Sequence, residues 1–502
     1  MKKALLGIDV GTTGAKASIF DLSGNLLGYG FKEYGVKCER QGWAEQDAEE
    51  VWKATKQVIK TACKNVGESV TAISISVQGD AVIPIDESKN AIGTAHLGMD
   101  YRGLSQTEKC KKMADEREIY NLTGMRPHPM NSIIKIAWIK ENQPSLYQKA
   151  YKFVTYADFI MAKLGSDEIV IDYTMASRTM AFDTISKKWA NEILRLFGIS
   201  EDKLAKPTPS GTVVGTINED LANELGISKS AVLVTGGHDQ TCAALGAGVI
   251  DSGVALDSHG TAEVLSFCLP KISIDERLFS GYYPYYSHVV KDKYFTFALN
   301  HTGGILLKWY AEQFCNFDYL TAKEKGVSVY DVIMENLPKE ISPVMVLPHL
   351  NGSGNPVCDL SSKGVIVGLT MNTNRYDIAK AVLESLAFEM RLNIEYLKSS
   401  GIEINRINCV GGGARSDIGV QLKADVLSMP VHTLKIRESA CLGASLLAGV
   451  AVGEYKSFEQ AIKVVETEKT YYPREEFSKK YDERYKIYKQ LYSIVKEINY
   501  KL

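Results

Sequence analysis

An apolar strand that carries an aspartate into a Gly-Thr turn and out along a second strand occurs twice in this chain. The first copy reads Ala4-Leu-Leu-Gly-Ile-Asp9-Val-Gly11-Thr12-Thr13-Gly14-Ala-Lys16, and the second Gly253-Val-Ala-Leu-Asp257-Ser-His-Gly260-Thr261-Ala-Glu263. Gly11 and Gly260 lie 249 positions apart in a chain of 502 residues. An offset of half the chain is what an internally duplicated, two-lobe protein shows, although motifs this short also coincide by chance. Length agrees, because 502 residues exceed one ordinary core and two large domains are the simplest division.

Around the two copies, strands and helices alternate. Residues 47–66 read as a helix opened by Asp47 and Glu50 in capping-box spacing. A β-branched strand over 71–77 ends at Gln78-Gly79-Asp80, and a buried-type strand over 231–235 ends at Gly236-Gly237-His238-Asp239-Gln240. The second half adds a strand at 344–347, a helix over 376–399 and a strand over 405–410. That last strand runs into Gly411-Gly412-Gly413 and a helix over 416–427. Such alternation implies α/β layers with sites at the strand ends. The charged tail 475–502 places Tyr481, Tyr485, Tyr488 and Tyr492 on one helical stripe, a packing face.

Composition removes several classes. Lys plus Arg number 58 against 60 Asp plus Glu, a net charge of −2, so no global field attracts nucleic acid or an anionic membrane. The apolar run 4–8 is cut by Asp9, too early for a secretory core, and no stretch approaches the roughly 18–20 apolar residues of a membrane span. Nine cysteines without a CxxC pair fit a reduced, cytoplasmic protein. The absence of GxxxxGK[ST], of a complete GxGxxG after a strand and of GxSxG argues against P-loop, dinucleotide-binding and α/β-hydrolase chemistry.

The strand-end motifs point to phosphate and hydroxyl chemistry, each against a plainer reading. Asp9 with Gly11, Thr12 and Thr13 suits a nucleotide γ-phosphate: glycine admits the oxyanion, threonine donates to it, and the aspartate can hold hydrated Mg²⁺. Lys16 adds a movable positive charge, and an ordinary hairpin is the alternative. Gly260 and Thr261 repeat the arrangement for an α- or β-phosphate. Gly303-Gly304 and Gly411-Gly412-Gly413 each precede a helix, where backbone N–H groups favour anions, and they also serve as packing glycines. Asp239, at a strand end among glycines, is a candidate general base for a hydroxyl, with Gln240 beside it for polyol recognition. A helix N-cap and a hydrolase-type His-Asp pair are the competing readings. Gln78 with Asp80, and Asp100 with Arg102, are sugar contacts or surface loops.

Taken in order, Asp9-Val-Gly-Thr-Thr-Gly, Gln41-Gly-Trp43-Ala-Glu45-Gln, Gly237-His-Asp239-Gln-Thr-Cys-Ala-Ala-Leu-Gly246, Gly260-Thr261, Gly411-Gly-Gly-Ala-Arg415-Ser and Gln421-Leu-Lys-Ala-Asp425 resemble the FGGY carbohydrate kinases from about residue 4 to 451. The resemblance implies two ribonuclease-H-like domains of the actin/Hsp70/hexokinase type flanking a catalytic cleft, a sugar-binding lobe over 1–247 and a nucleotide-binding lobe over 248–502. It implies ATP and Mg²⁺, with Asp239 as catalytic base, Asp9 organising the metal through water, and Thr12, Thr13, Gly11 and Lys16 on the γ-phosphate side. Gly260, Thr261 and Gly304 would reach the phosphates from the second lobe, and Gly412, Gly413 and Asp417 would border the nucleoside. Gln78, Asp80, Asp239 and Gln240 would line the sugar site. The Gly79-Asp80 pair departs from glycerol kinases and typical xylulokinases, and the small Gly79 suggests room for a ketose, with a polyol or an aldonate as alternatives. An actin/Hsp70-like ATPase and an inactive sugar sensor are the readings from other classes. The partner expected is a small sugar or polyol, without nucleic acid or membrane, and a homodimer is left open.

Overall fold

The computed structural model describes residues 3–272 and 275–502. In the first half, strands β1 (Ala4–Val10), β2 (Gly14–Asp21) and β3 (Leu26–Glu33) form an antiparallel meander. Helix α1 (Ala48–Cys63) follows, then β4 (Val70–Val77), which pairs parallel with β1. Further along lie α2 (Tyr173–Arg178), β5 (Val213–Thr216), β6 (Val232–Val234), β7 (Gly237–His238) and α3 (Asp239–Gly246). The sheet order is β5-β6-β4-β1-β2-β3, with β7 also on β4. The central strand β1 is apolar throughout except at Asp9, as a strand covered on both faces must be.

The second half repeats the plan. Strands β8 (Gly253–His259), β9 (Glu263–Leu269), β10 (Tyr286–Ser287) and β11 (Tyr294–Asn300) precede helices α4 (Gly304–Phe314) and α5 (Arg375–Ser399). Then come β12 (Ile404–Gly411), α6 (Asp417–Leu427), β13 (Val431–Leu434), α7 (Ser439–Ala451), β14 (Thr467–Tyr471) and α8 (Glu475–Asn499). The sheet order is β10-β11-β9-β8-β12-β13-β14, and β8 pairs parallel with β12 as β1 does with β4. Even the register irregularity recurs, after Ala4 in β1 and after Gly253 in β8. The mixed α/β architecture expected from the sequence is present, with two ribonuclease-H-like sheets.

Local signals explain the element ends. The Asp47 carboxylate caps α1 by accepting from the amides of Glu49 and Glu50, so only the aspartate half of the expected capping box forms. On α8, Tyr481, Tyr485 and Tyr488 are buried against Phe388 of α5, so the tyrosine stripe packs as anticipated.

The halves interlock. Helix α7, late in the chain, lies on the first sheet: a Cβ placed on Gly7 of β1 would come within 1.9 Å of the Cys441 carbonyl oxygen. Helices α3 and α7 cross backbone to backbone, since a Cβ on Gly246 would fall 1.9 Å from the Ser439 oxygen and one on Gly443 would fall 1.8 Å from the Cys242 oxygen. One continuous apolar core joins residues of both sheets, from Ile8 and Ile75 to Leu256, Cys268, Tyr286 and Phe295.

Candidate active site

Asp9 sits one residue before the end of β1, opposite Ser76 on β4 and Lys16 on β2. The Ser76 hydroxyl donates to Asp9 Oδ1 at 2.7 Å, and the other carboxylate oxygen has no protein partner among the described residues. Burial raises the Asp9 pKa, against the pull of Ser76 and Lys16. The turn beyond it is braced from beneath. Gly11 N–H donates to the Gly14 carbonyl at 3.0 Å, Gln46 Nε2 donates to the Thr12 carbonyl at 2.6 Å, and the Thr12 hydroxyl donates to Gln78 Oε1 at 3.1 Å. Gln78 Nε2 reaches Gln46 Oε1 at 3.1 Å and the Gly11 carbonyl at 3.3 Å. Gln78, expected to face a sugar, therefore has its amide committed to the Thr12 turn. Thr13 is exposed. Lys16 is not a free movable charge: its ammonium pairs at 2.7 Å with Glu438, which precedes α7, and so bridges the two halves.

Asp239 opens α3 directly after β7, where β7 pairs with the end of β4 and so brings it beside Asp80 and Asp9. Its side chain is about one-third exposed (33%). Burial and, next, the negative field of Asp9 push its pKa up to about 7, against the Gln240 amide and Arg178. The neighbouring His238 is buried and kept neutral by desolvation. Its Nε2 lies 3.2 Å from Asp239 Oδ1, and its Nδ1 lies 2.9 Å from the Tyr286 hydroxyl on β10 of the other half. Asp80, in a left-handed conformation with φ of 67°, pairs with Arg178 of α2 at 2.6 Å. Its carbonyl is held by the Ser132 hydroxyl at 3.2 Å and by the ammonium of the buried Lys135 at 2.8 Å. Three buried atoms in this corner have no hydrogen-bond partner among the described residues: Asp80 Oδ1, Arg178 Nε and Gln240 Oε1. Buried polar atoms are nearly always bonded, so such a cluster is an invitation to a ligand bearing hydroxyls. Tyr286 and Phe297 of the second half lie beneath the Arg178 guanidinium, each 5.7 Å from it.

Two expectations are corrected here. The space beside Gly79 is taken, because a Cβ there would lie 2.8 Å from His238 Nε2; the glycine accommodates the imidazole rather than a larger sugar. Asp100 and Arg102 are neither surface residues nor open sugar contacts. They form a buried pair at 2.7 Å, Arg102 also reaches Glu45 at 2.6 Å, and the guanidinium stacks 3.8 Å from the Trp43 ring centre.

In the second half the glycine turns converge on His259. Gly304 N–H donates to the Gly260 carbonyl at 2.9 Å and Ile305 N–H to the Thr261 carbonyl at 3.2 Å, tying the start of α4 to the Gly-Thr turn. A Cβ on Gly413 would strike the His259 ring at 2.3 Å, while one on Gly412 would reach the His259 carbonyl oxygen only at 4.0 Å. Asp417 does not join this group. Its carboxylate, 72% exposed, bonds Lys469 at 2.8 Å and the Tyr471 hydroxyl on β14, and Ser416 caps α6 in its place. Asp257, the counterpart of Asp9, is fully buried against Lys423 of α6 and accepts from the Cys409 thiol at 3.2 Å.

Sequence reading missed Arg178, His238 as a structural partner, Tyr286 and Lys423. The His238 neighbour was visible in the motif, whereas Arg178 and Tyr286 stand in segments without a motif and reach the site only through the fold.

Comparisons with known proteins agree over the whole length. The profile of the N-terminal domain of the FGGY family of carbohydrate kinases matches residues 4–246, and that of the family's C-terminal domain matches residues 257–452. The chain is similar to a xylulose kinase of Bacillus subtilis strain 168, at 26% identity covering 99% of this chain and 98% of the relative. It is also similar to a gluconokinase of Bacillus licheniformis, at 28% identity covering 96% and 94%. Among solved structures, a ligand-bound xylulose kinase from Lactobacillus acidophilus superposes with a TM-score of 0.89 at 25% identity, covering 98% of both chains.

Proposed function

The chain belongs to the FGGY family of carbohydrate kinases, enzymes that transfer a phosphoryl group to an alcohol, and we propose that it acts on a ketose with ATP and Mg²⁺. The observation that carries this reading is Asp239, whose pKa of about 7 poises it as a base beside three unpartnered polar atoms. In this reading Asp239 takes the proton of the attacking hydroxyl, and Asp80, Arg178 and Gln240 bind the rest of the sugar. Gln78 holds the turn that carries Thr12 and Thr13 to the γ-phosphate. Gly11 admits the oxyanion, and Lys16 reaches it once released from Glu438. A hydrated Mg²⁺ fits Asp9, whose second oxygen is without a protein partner. Such an ion supplies charge neutralisation to the phosphates. Gly260, Thr261, Gly304, Gly412 and Gly413 form the nucleotide side, with the lobes divided at 247/248 apart from the return of α7 onto the first sheet.

Charge argues against an aldonate. An aldonate carboxylate would need an uncommitted cation, yet Arg178 is neutralised by Asp80 and Lys135 is spent on backbone carbonyls. Like charges from Asp80, Asp239 and Asp9 would repel it. Sugar-dependent ADP release across pentuloses, hexuloses, alditols, glycerol and gluconate tests the reading. A ketose should give the highest kcat/KM, and gluconate or glycerol as the best substrate would overturn it.

A further inference from the structure

Around Lys423 stands a group of buried charges that phosphoryl transfer, as described, leaves idle. Ligand atoms of Asp257, His259 and Glu263 lie within 4.8 Å of one another, close enough to share a metal ion. The Lys423 ammonium sits among them instead, bonded to Asp257 Oδ2, to Glu263 Oε1 at 2.7 Å and to His259 Nδ1 at 2.9 Å. An ammonium has three protons and here meets three acceptors. Where Nδ1 accepts from Lys423 it carries no proton, and the neutral imidazole then carries its proton on Nε2. Nδ1 also lies 2.8 Å from Glu263 Oε1, and a neutral ring donating Nδ1–H there would make Nε2 an acceptor, so the donor role of Nε2 rests on the Lys423 contact.

That donor is unspent. Nε2 has no hydrogen-bond partner among the described residues, and it faces the glycine turns: a Cβ on Gly304 would lie 3.9 Å from it, and one on Gly413 would overlap the same ring. The side chain is 12% exposed, with the Gly260-Thr261 turn next in sequence and the start of α4 bonded to that turn. The lysine contact thus leaves a histidine corner facing three glycine-bearing segments, where the Nε2 donor adds to a backbone whose Gly260, Gly303 and Gly304 amides are already bonded within the protein.

We propose that His259 is a nucleotide-phosphate ligand, its Nε2–H donating to a phosphate oxygen of a nucleoside polyphosphate, with Lys423 setting the tautomer. The proposal rests on the kinase reading and adds a side-chain donor to it. Amide substitutions separate the two ring nitrogens, because asparagine places its amide near Nδ1 and glutamine near Nε2. Calorimetric titration with ADP, with adenosine as the phosphate-free control, reads the difference. His259→Asn and His259→Ala should weaken ADP about tenfold while adenosine shifts less than about twofold, and His259→Gln should hold ADP within about threefold of the parent chain. ADP affinity unchanged in His259→Asn, equal losses for ADP and adenosine, or a loss in His259→Gln matching that in His259→Asn would each overturn the assignment. Failure of the unsubstituted chain to bind ADP would take down the kinase reading itself, a result distinct from the other three.

Discussion

Asp9 and Asp257 occupy equivalent places in the two sheets and have opposite surroundings. Each lies near the end of its sheet's first strand and is met from the parallel neighbour, Asp9 by the Ser76 hydroxyl and Asp257 by the Cys409 thiol. Asp9 is partly exposed and keeps an unpartnered oxygen, whereas Asp257 is sealed and paired with Lys423. The strand, the turn and the register are duplicated, while the charge balance is not. A buried carboxylate without a counter-ion is costly, so the first half retains a demand for a cation that the second half has met internally.

Neutralising each aspartate in turn separates the two sites. Asp9→Asn should lower kcat by about 10²–10³-fold, the scale of losing one charge-stabilising group, while the thermal midpoint at neutral pH rises or holds because a desolvated charge is removed. Asp257→Asn should instead cost about 1–3 kcal/mol of stability, read by denaturant titration, because a buried charge-assisted bond to Lys423 is lost while Glu263 still neutralises the ammonium. A stability loss from Asp9→Asn, or a purely kinetic loss from Asp257→Asn, would dissolve the distinction. The field of Asp9 on Asp239 gives a second measurement. A base with a pKa of about 7 predicts that kcat/KM falls roughly tenfold per pH unit on the acid side and levels off above about pH 7. Asp9→Asn, by removing a like charge, should move that limb to lower pH.

A smaller effect concerns the cations. Glu438→Gln releases Lys16 toward the Gly-Thr turn and should tighten ATP about two- to fivefold, more at low salt. An unchanged KM for ATP at low ionic strength would show that Lys16 serves only to bridge the halves. The smallest effect is on stability. With its pKa raised in the fold, Asp239 binds a proton more readily folded than unfolded, so its contribution is full below about pH 4 and is lost as pH rises through about 7. Asp239→Asn should therefore melt about 1–2 °C above the parent chain at pH 8, with no such gain at pH 4, in differential scanning calorimetry.

Legibility followed the range of the interactions. The repeated Asp-Gly-Thr strands could be read because strand alternation and turn chemistry act between near neighbours, and the 249-residue offset carried over into two sheets of like topology. Asp239 could be read from its glycines. Arg178 could not, since its contact with Asp80 spans 98 positions and follows no spacing rule. Lys423 escaped for the same reason, its bond to Asp257 spanning 166 positions. Nor could sequence show the bonds that residues beside the motifs make within the protein, Asp417 with Lys469 and Tyr471, and Gln78 with Thr12, Gly11 and Gln46.

The crossing of α3 and α7 has a mechanical meaning. Side chains that interdigitate must unmesh before two helices can slide, but here main chain meets main chain at Gly246 and Gly443. The two helices are seated as closely as main chain allows at these points, with Cys242, Leu245, Leu442 and Leu446 packed around them. Since α3 begins with Asp239 and α7 follows the Lys16 partner Glu438, the crossing seats both groups that flank Asp9. A single methyl at Gly443, 1.8 Å from the Cys242 oxygen, is enough to force the two helices apart.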